Sequence, residues 1–173
     1  NINGGANQTV TTVSGNSVTV SAPTNAPGTF VYNLVSISDA SLAVCAQPQT
    51  GSVTIQVNPL PTATISGTFS ICKNGAAPNI TFTAAGGAVA PYTFTYNING
   101  GPNQTVSTVS GNSVTVAVPT SVAGTFTYNL LNVSDASTTL CGQAQSGSAT
   151  VTVIELPTAN LTGTTEVCLH GTS

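Results

Sequence analysis

Apolar and polar residues alternate along most of this chain, and turn-forming Gly, Asn, Ser and Pro interrupt the alternation about every 8 to 12 positions. Ala149, Val151 and Val153, for example, share one face of an extended segment, and Thr150 and Thr152 share the other. No apolar stripe has helical spacing. Between residues 61 and 156 the pattern predicts seven strands, at residues 62–72, 80–84, 92–98, 106–109, 114–118, 124–135 and 149–154.

The residues between these strands predict how the strands are connected. Gly67 interrupts the first strand and indicates a bulge or a switch from one sheet to another. Residues 99–101 (NGG) predict a turn with positive φ, and residues 110–113 (SGNS) predict a tight hairpin. All nine aromatic residues fall on predicted strands, mostly at inward positions, and we interpret them as core. Seven short strands without helices predict an all-β fold, a two-sheet sandwich of immunoglobulin type.

The chain repeats itself with a spacing of 96 residues. Residues 1–20 return as residues 97–116 with 18 of 20 positions identical, and residues 1–77 align with residues 97–173 without a gap at 45 identical positions. Self-similarity of this kind is typical of arrays of like units. We therefore expect tandem sandwiches, with about seven strands in each 96-residue module.

Proline-containing stretches at residues 58–61 and 155–157 indicate where one module ends and the next begins. We place a complete module at residues 61–156, the C-terminal part of a preceding module at 1–60, and the N-terminal part of a following module at 157–173. A partial sandwich exposes an apolar face and strand edges, so residues 1–60 should not fold alone. Self-complementation by residues 157–173 would supply only 17 of 36 missing residues, and we expect a window from a longer polypeptide.

The composition excludes several classes of function. Only five of 173 residues are Asp, Glu, Lys or Arg, and the net charge is −3 with a single Lys. Such a chain cannot neutralise nucleic-acid phosphates or bind an anionic membrane surface. No apolar run approaches the roughly 20 residues that span a bilayer. We expect neither nucleic-acid binding nor membrane insertion.

The few ionisable residues do not predict an enzyme or a cofactor site. The candidates are Asp39, Asp135, Glu155, Glu166, Lys73 and His170. The complete module contains only Lys73, Asp135 and Glu155, far apart in sequence, whereas acid–base or nucleophilic catalysis needs cooperating groups. Asp135 is typical of an Asx turn, and a calcium site would need several carboxylates. We expect no catalytic, metal-binding or cofactor-binding residues.

The four cysteines occupy two repeat-equivalent positions, which suits disulfides in an oxidising, extracellular setting. We favour Cys72 with Cys141, which leaves Cys45 and Cys168 to partners outside the window. The alternative pairs Cys45 with Cys72 and Cys141 with Cys168. It joins points that should lie most of a module apart in a linear array, whereas a disulfide needs Cα atoms within about 7 Å.

Several segments together resemble a known type of repeat. They are residues 61–75 (PTATISGTFSICKNG), 90–100 (APYTFTYNING), 123–137 (AGTFTYNLLNVSDAS) and 146–153 (SGSATVTV). The chain is similar to the immunoglobulin-like and PKD-like tandem repeats of large secreted bacterial surface proteins, of adhesin or gliding type. Cys72 and Cys141 match the paired cysteines of that family. The resemblance implies export to the bacterial cell surface, tandem arrays, and roles in adhesion, gliding or surface fibres.

We therefore expect a structural repeat of an extracellular fibre or filament that forms a rod or a self-associating polymer, with neighbouring modules and other copies of itself as partners. The alternative is an adhesin stalk or a carbohydrate-binding or ligand-binding module, with a surface glycan or host ligand as partner. Glycans would make the same surface more soluble. Possible glycosylation sites are the sequons at Asn7, Asn79, Asn103, Asn132 and Asn160.

Overall fold

The structure is a computed structural model that describes residues 1–87, 89–163, 166, 169 and 170. The described residues form an all-β fold without helices. No helix in this part of the chain could therefore cross a membrane. The strands are β1 (Gly28–Asn33), β2 (Ser36–Ser38), β3 (Ala46–Pro48), β4 (Ser52–Val57), β5 (Pro61–Ser66), β6 (Phe69–Cys72), β7 (Asn79–Gly86), β8 (Thr93–Ile98), β9 (Gln104–Ser107), β10 (Ser113–Ala117), β11 (Gly124–Ser134), β12 (Gly142–Ala144) and β13 (Ser148–Ile154).

Residues 61–156, the central region, contain two sheets. One has the order β10-β7-β5, and the other has the order β6-β13-β11-β8-β9 with β12 paired to β11. All pairs are antiparallel except β6 with β13, which is parallel. This arrangement is consistent with a β-sandwich, as the alternating pattern predicts.

The core of the central region consists of the apolar residues that alternate along these strands. It contains Phe82 of β7, Phe94 and Tyr96 of β8, and Tyr128 of β11, all buried. The rings of Phe82 and Tyr96 have centroids 5.0 Å apart, and those of Tyr96 and Tyr128 are 6.0 Å apart. Tilted and offset ring pairs at these distances add to the free energy gained from apolar burial.

The first strand passes from one sheet to the other at Gly67, as the sequence predicts. β5 pairs with β7 in the smaller sheet, and β6 pairs with β13 in the larger sheet. Gly67 has φ +116°, a value that L side chains rarely adopt. Glycine permits the sheet switch because it has no Cβ.

β11 is the long central strand of the larger sheet, and a β-bulge interrupts its alternation. The register with β8 shifts between Leu130 and Asn132. Tyr128 and Leu130 are buried before the shift, and Val133 is buried after it. The extra residue therefore keeps the apolar side chains on the core face over all 11 residues of the strand.

Three local predictions are wrong, and one short strand is not predicted. β9 pairs with β8 and β10 pairs with β7, so residues 110–113 join two sheets and do not close a hairpin. Val109 lies outside β9 and is fully exposed. Tyr92 precedes β8 and is not on a strand. The alternating pattern does not predict β12, because its three residues are all exposed.

Residues 1–60, the N-terminal region, repeat part of this architecture. Gly28 pairs with Val57 in β1 and β4, as Gly124 pairs with Val153 96 residues later. β2 and β3 likewise repeat the pairing of β11 with β12. The described residues 8–27 form no strands here, although their counterparts form β9 and β10. In the central region β10 pairs with β7, and residues 1–60 contain no counterpart of β7.

Candidate functional site

The N-terminal and central regions meet at a short junction. Asn58, one residue after β4, donates a hydrogen bond from Nδ2 to Oγ1 of Thr139 at 3.2 Å. An open groove spans the two regions and is lined by Thr24, Ile55, Gln56, Val57, Asn58, Leu60, Thr139 and Cys141. We call this contact the module junction.

Prolines restrict the backbone of the module junction. Pro59 and Pro61 flank Leu60 in the segment that joins β4 to β5. Each proline fixes its own φ and restricts the preceding residue to extended conformations. Pro61 is fully buried in the central region, whereas Leu60 is 55% exposed. The link is therefore short, extended and fixed at its C-terminal end.

A hydrogen-bonded turn at Asp135 presents Thr139 to the module junction. Oδ1 of Asp135 accepts hydrogen bonds from the backbone N of Ser137 at 3.1 Å and from its Oγ at 2.6 Å. This geometry confirms the predicted Asx turn. Ser137 Oγ lies 3.2 Å from Thr139 Oγ1, which in turn lies 3.1 Å from Sγ of Cys141. The chain of contacts runs from the turn to the junction.

The N-terminal region has the same turn at Asp39. Its Oδ1 accepts hydrogen bonds from Oγ of Ser41 at 2.7 Å, from the Ser41 backbone N at 3.2 Å and from the Cys45 backbone N at 3.0 Å. These bonds, the Ser41 side chain first, lower the pKa of the Asp39 carboxyl below its ordinary value of 3.8. Asp39 and Asp135 therefore organise corresponding loops at one end of each region.

The structure contradicts the predicted disulfide between Cys72 and Cys141, because both thiols are free. Cys72 pairs with Ile154, just beyond the Gly124 end of β11. Cys141 lies beside Ser134 at the other end of β11, since Ser134 pairs with Gly142. Ten residues of strand separate these ends by roughly 30 Å, far beyond disulfide range. The prediction failed because β5 and β6 both run toward the Gly124 end of β11 and carry Cys72 there, whereas Cys141 lies at the Ser134 end.

The two ends of the central region thus carry different cysteines. We call the end with Cys141 and Pro61 the proximal end, and the end with Cys72 and Ile154 the distal end. Cys45 is exposed and, like Cys141, precedes the strand that closes the Asx-turn loop. Cys168, for which we expect a partner outside the window, lies outside the described residues.

Other ionisable residues lie apart from the module junction. Lys73 Nζ and Glu155 Oε1 form an ion pair at 2.9 Å at the distal end, which brings together two residues 82 positions apart. Both side chains are partly solvent-exposed, and pairs of this kind contribute little to stability. Glu166 and His170 are exposed in the C-terminal segment. No group of His, Cys, Asp and Glu in the described residues could hold a metal ion.

The sequons differ in accessibility. Asn7, Asn79, Asn103 and Asn160 are exposed, whereas Asn132 is half-buried within β11. Residue 132 pairs with both Thr95 and Ala144, so its flanking backbone belongs to the sheet. Asn7, Asn103 and Asn160 are therefore exposed outside strands, whereas Asn79 and Asn132 lie within paired strands.

The tyrosines do not form an exposed platform for a sugar. Tyr96 and Tyr128 are buried, and Tyr32 and Tyr92 are half-buried. Burial raises the pKa of Tyr96 and of Tyr128 above the ordinary value of 10.0. These rings pack within the core or at its edge.

The prolines at residues 58–61 predict a module boundary, but no motif predicts the two residues that form the hydrogen bond of the module junction. Proline predicts the boundary, whereas Asn58 and Thr139 belong to no motif. The repeat counterpart of Asn58 is Ile154, and that of Thr139 is Ala43. Neither residue type is therefore kept between the repeats, and the repeat does not single out these two positions. The hydrogen bond forms only because two regions distant in sequence lie next to each other, and a local sequence pattern contains no information about such contacts.

Comparison with known proteins adds no relative: no family model matches the chain, and neither a curated protein nor a solved structure matches it.

Proposed function

We propose that this chain is a structural repeat of an extracellular bacterial surface fibre or filament. Immunoglobulin-like sandwiches of 96 residues follow one another as a rod, and copies of the chain associate into a polymer. The role is mechanical and architectural, without catalysis. The residues important for this role are those at contacts between consecutive modules and those at contacts between copies of the chain.

The module junction is the observation that carries this proposal. Asn58 contacts Thr139 directly, and only Pro59 and Leu60 separate Asn58 from the buried Pro61. Two prolines in so short a link leave few backbone conformations. Consecutive modules joined in this way form a semi-rigid rod, and each should add roughly 35 to 40 Å of length.

The polar surface supports close contact between copies. Hydroxyl groups pair across neighbouring strands, as Thr83 with Ser113 at 3.0 Å and Thr93 with Ser107 at 2.8 Å. Such pairs stabilise a sheet without charge. With five charged residues in 173, little electrostatic repulsion opposes packing between copies.

The arrangement of ionisable groups also favours a structural role. Asp39 and Asp135 accept hydrogen bonds from their own loops, and Lys73 pairs with Glu155 on the surface. These groups occupy different parts of the described structure, whereas catalysis needs them to converge on one reacting atom.

Electron microscopy of the purified chain, together with sedimentation over a range of concentrations, tests the proposal. We expect ordered filaments with a spacing of about 35 to 40 Å per module. Association should change little with salt, because few charges are available to be screened. A chain that stays monomeric at every concentration would contradict the polymer. Separate beads on a flexible string would make an adhesin stalk the better description.

A further inference from the structure

The apolar face of the N-terminal region is open where the same face of the central region is covered. Leu34 and Val53 are 55% and 59% exposed, whereas their counterparts Leu130 and Ala149 are each 2% exposed. Ile37 is 63% exposed, and its counterpart Val133 is fully buried. The ladders themselves are alike in the two regions, so the difference lies in the strands that cover them.

The central region shows which strands lie closest to this ladder. β6 pairs in parallel with the outer edge of β13, from Val151 with Phe69 to Ile154 with Cys72. β5 lies against β11, β12 and β13. In the N-terminal region β4 is the counterpart of β13, and among the described residues it pairs only with β1. The outer edge of β4 can therefore accept a β6-like strand.

The C-terminal segment has the sequence of the missing strands. Residues 157–168 (PTANLTGTTEVC) align with residues 61–72 (PTATISGTFSIC), at six of 12 identical positions. Residues 157–163 are exposed and form no strand, although their counterparts form the partly buried β5. Leu161 is 98% exposed. Residues 164, 165, 167 and 168 lie outside the described residues and enter by their sequence alone.

We propose that residues 157–168 of one copy bind the N-terminal region of a second copy and supply its counterparts of β5 and β6. Residues 165–168 add to β4 as a parallel strand, and residues 157–162 cover the open apolar face. This inference rests on the proposed self-association and identifies the surfaces through which two copies would bind. The repeat sets the register: Thr165 lies opposite Ile55, and Cys168 lies opposite Asn58.

Two hydrogen bonds of the central region can be repeated at this contact. Ala63 donates its backbone N–H to Oε1 of Gln145 at 3.0 Å, and the corresponding residues are Ala159 and Gln49. Thr150 donates its backbone N–H to Oγ1 of Thr68 at 3.3 Å. The corresponding residues, Thr54 and Thr164, are again identical to the originals.

The acceptor is already formed in the N-terminal region. Gln49 donates its backbone N–H to the carbonyl of Val35 at 2.8 Å, as Gln145 does to Leu131 at 2.8 Å. Leu34 likewise bonds to Gly51 at 2.9 Å, as Leu130 bonds to Gly147. Little rearrangement is needed before the segment binds, and pre-organisation of this kind favours binding.

The donor and acceptor must belong to different copies. In one chain β4 leads into the proximal end of the central region, and residue 157 follows its distal end. These ends are roughly 30 Å apart, and residues 155 and 156 extend at most about 7 Å. Donation between copies is heterologous, and a heterologous contact generates a filament when the rotation between copies does not close a ring. Ile154 and Leu156, which are 51% and 47% exposed, then lie at the junction between copies.

The same register brings thiols of two copies together. Cys168 of the donor lies opposite Asn58 of the acceptor, and Asn58 contacts Thr139, whose Oγ1 is 3.1 Å from Sγ of Cys141. The repeat places Cys72 of the donor at the junction with Cys45 of the acceptor in the same way. The alternative disulfides, Cys45 with Cys72 and Cys141 with Cys168, can therefore form between two copies, although we do not expect them within one chain.

A matched pair of variants in the full 173-residue chain tests the contact. Leu161→Asp places a carboxylate where Ile65 packs in the central region, and Asn160→Asp places one where Thr64 is exposed. We expect Leu161→Asp to weaken association at least about tenfold, because burying an unpaired charge is costly. Asn160→Asp should associate as the unchanged chain does. Residue 161 is exposed in the single chain, so neither variant should impair folding.

Crosslinking identifies the contact independently. An equimolar mixture of isotope-labelled and unlabelled chains is assembled with oxidised glutathione and mapped by mass spectrometry. As each Sγ–Sγ bond forms, two thiols lose two protons and two electrons, and glutathione disulfide is reduced to two thiols. We expect Cys141–Cys168 and Cys45–Cys72 peptides that join a labelled chain to an unlabelled one.

The outcomes separate this inference from the proposed function. Filaments that Leu161→Asp leaves intact, or that lack the Cys141–Cys168 crosslink between copies, would overturn the inference and leave the fibre role standing. An unchanged chain that never associates would overturn the fibre role and the inference with it.

Discussion

A Cβ atom on residue 67 would lie 2.5 Å from the backbone carbonyl oxygen of Asn79. Real Cβ atoms do not approach backbone oxygen so closely, and Gly67 also has φ +116°. The switch of the first strand from one sheet to the other therefore requires glycine at this position. We predict that Gly67→Ala destabilises the chain by about 3 kcal/mol, from steric conflict and backbone strain together.

Urea unfolding followed by circular dichroism measures this effect, and Gly111→Ala is the matched control. Gly111 also has positive φ, at +68°, but a Cβ there would meet nothing within 4 Å. The control should lose only about 1 to 2 kcal/mol, the cost of the left-handed conformation. Equal losses in the two variants would show that contact with Asn79 is unimportant.

Ile37 and Val133 occupy the same repeat position in different surroundings. Val133→Ala should destabilise the chain by about 2 kcal/mol, because it removes buried apolar volume. Ile37→Ala should change stability by less than about 0.5 kcal/mol, because Ile37 is 63% exposed. Thermal unfolding at concentrations where the chain is monomeric checks both values. Similar losses would mean that Ile37 is covered within a single chain.

The Asp39 carboxyl should titrate below its ordinary pKa of 3.8, because Ser41 and the Cys45 backbone bind its ionised form. The folded chain then binds this proton less tightly than the unfolded chain. The contribution to stability is present above the unfolded pKa and is lost as the pH falls through the folded pKa. Carboxyl NMR measures the titration. Ser41→Ala should raise the pKa toward 3.8, and an unchanged pKa in that variant would contradict the assigned cause.

Monomeric chain treated with a mild oxidant should yield no peptide that links Cys72 to Cys141. The two thiols lie at opposite ends of β11, roughly 30 Å apart. A non-reducing peptide map tests this, with a reduced sample as the reference. Finding the linked peptide at high yield would mean that β6 does not pair with β13.

The sequence predicts the strands whose alternation reflects burial on one face. β7 and β13 are read correctly because Phe82 and Val151 recur with period two against outward Thr. Asn99 and Gly100 form the predicted positive-φ turn, at +52° and +72°, because local conformational preference determines it. Turn preference and the alternation of buried residues can both be recognised from the sequence of a single segment.

Strand partners are not visible in this way. Residues 110–113 have the composition of a hairpin turn, yet β9 and β10 pair with different strands in different sheets. No local pattern shows that β6 pairs in parallel with β13, so the sequence does not reveal that Cys72 and Cys141 lie at opposite ends of the sheet. The junction pair, Asn58 and Thr139, depends on contact between regions. Each of these features is determined by residues distant in sequence.

The parallel pairing of β6 with β13 also determines how the central region bears tension. The chain enters at the proximal end through β5 and β6 and leaves at the distal end through β13, so pulling on both ends slides β6 against β13. Force then loads the ladder from Val151 with Phe69 to Ile154 with Cys72 all at once, in shear. A single-molecule pulling experiment should record an abrupt rupture, and gradual extension at low force would contradict this geometry. A fibre built from such units would resist stretching up to a threshold, rather than unzip residue by residue.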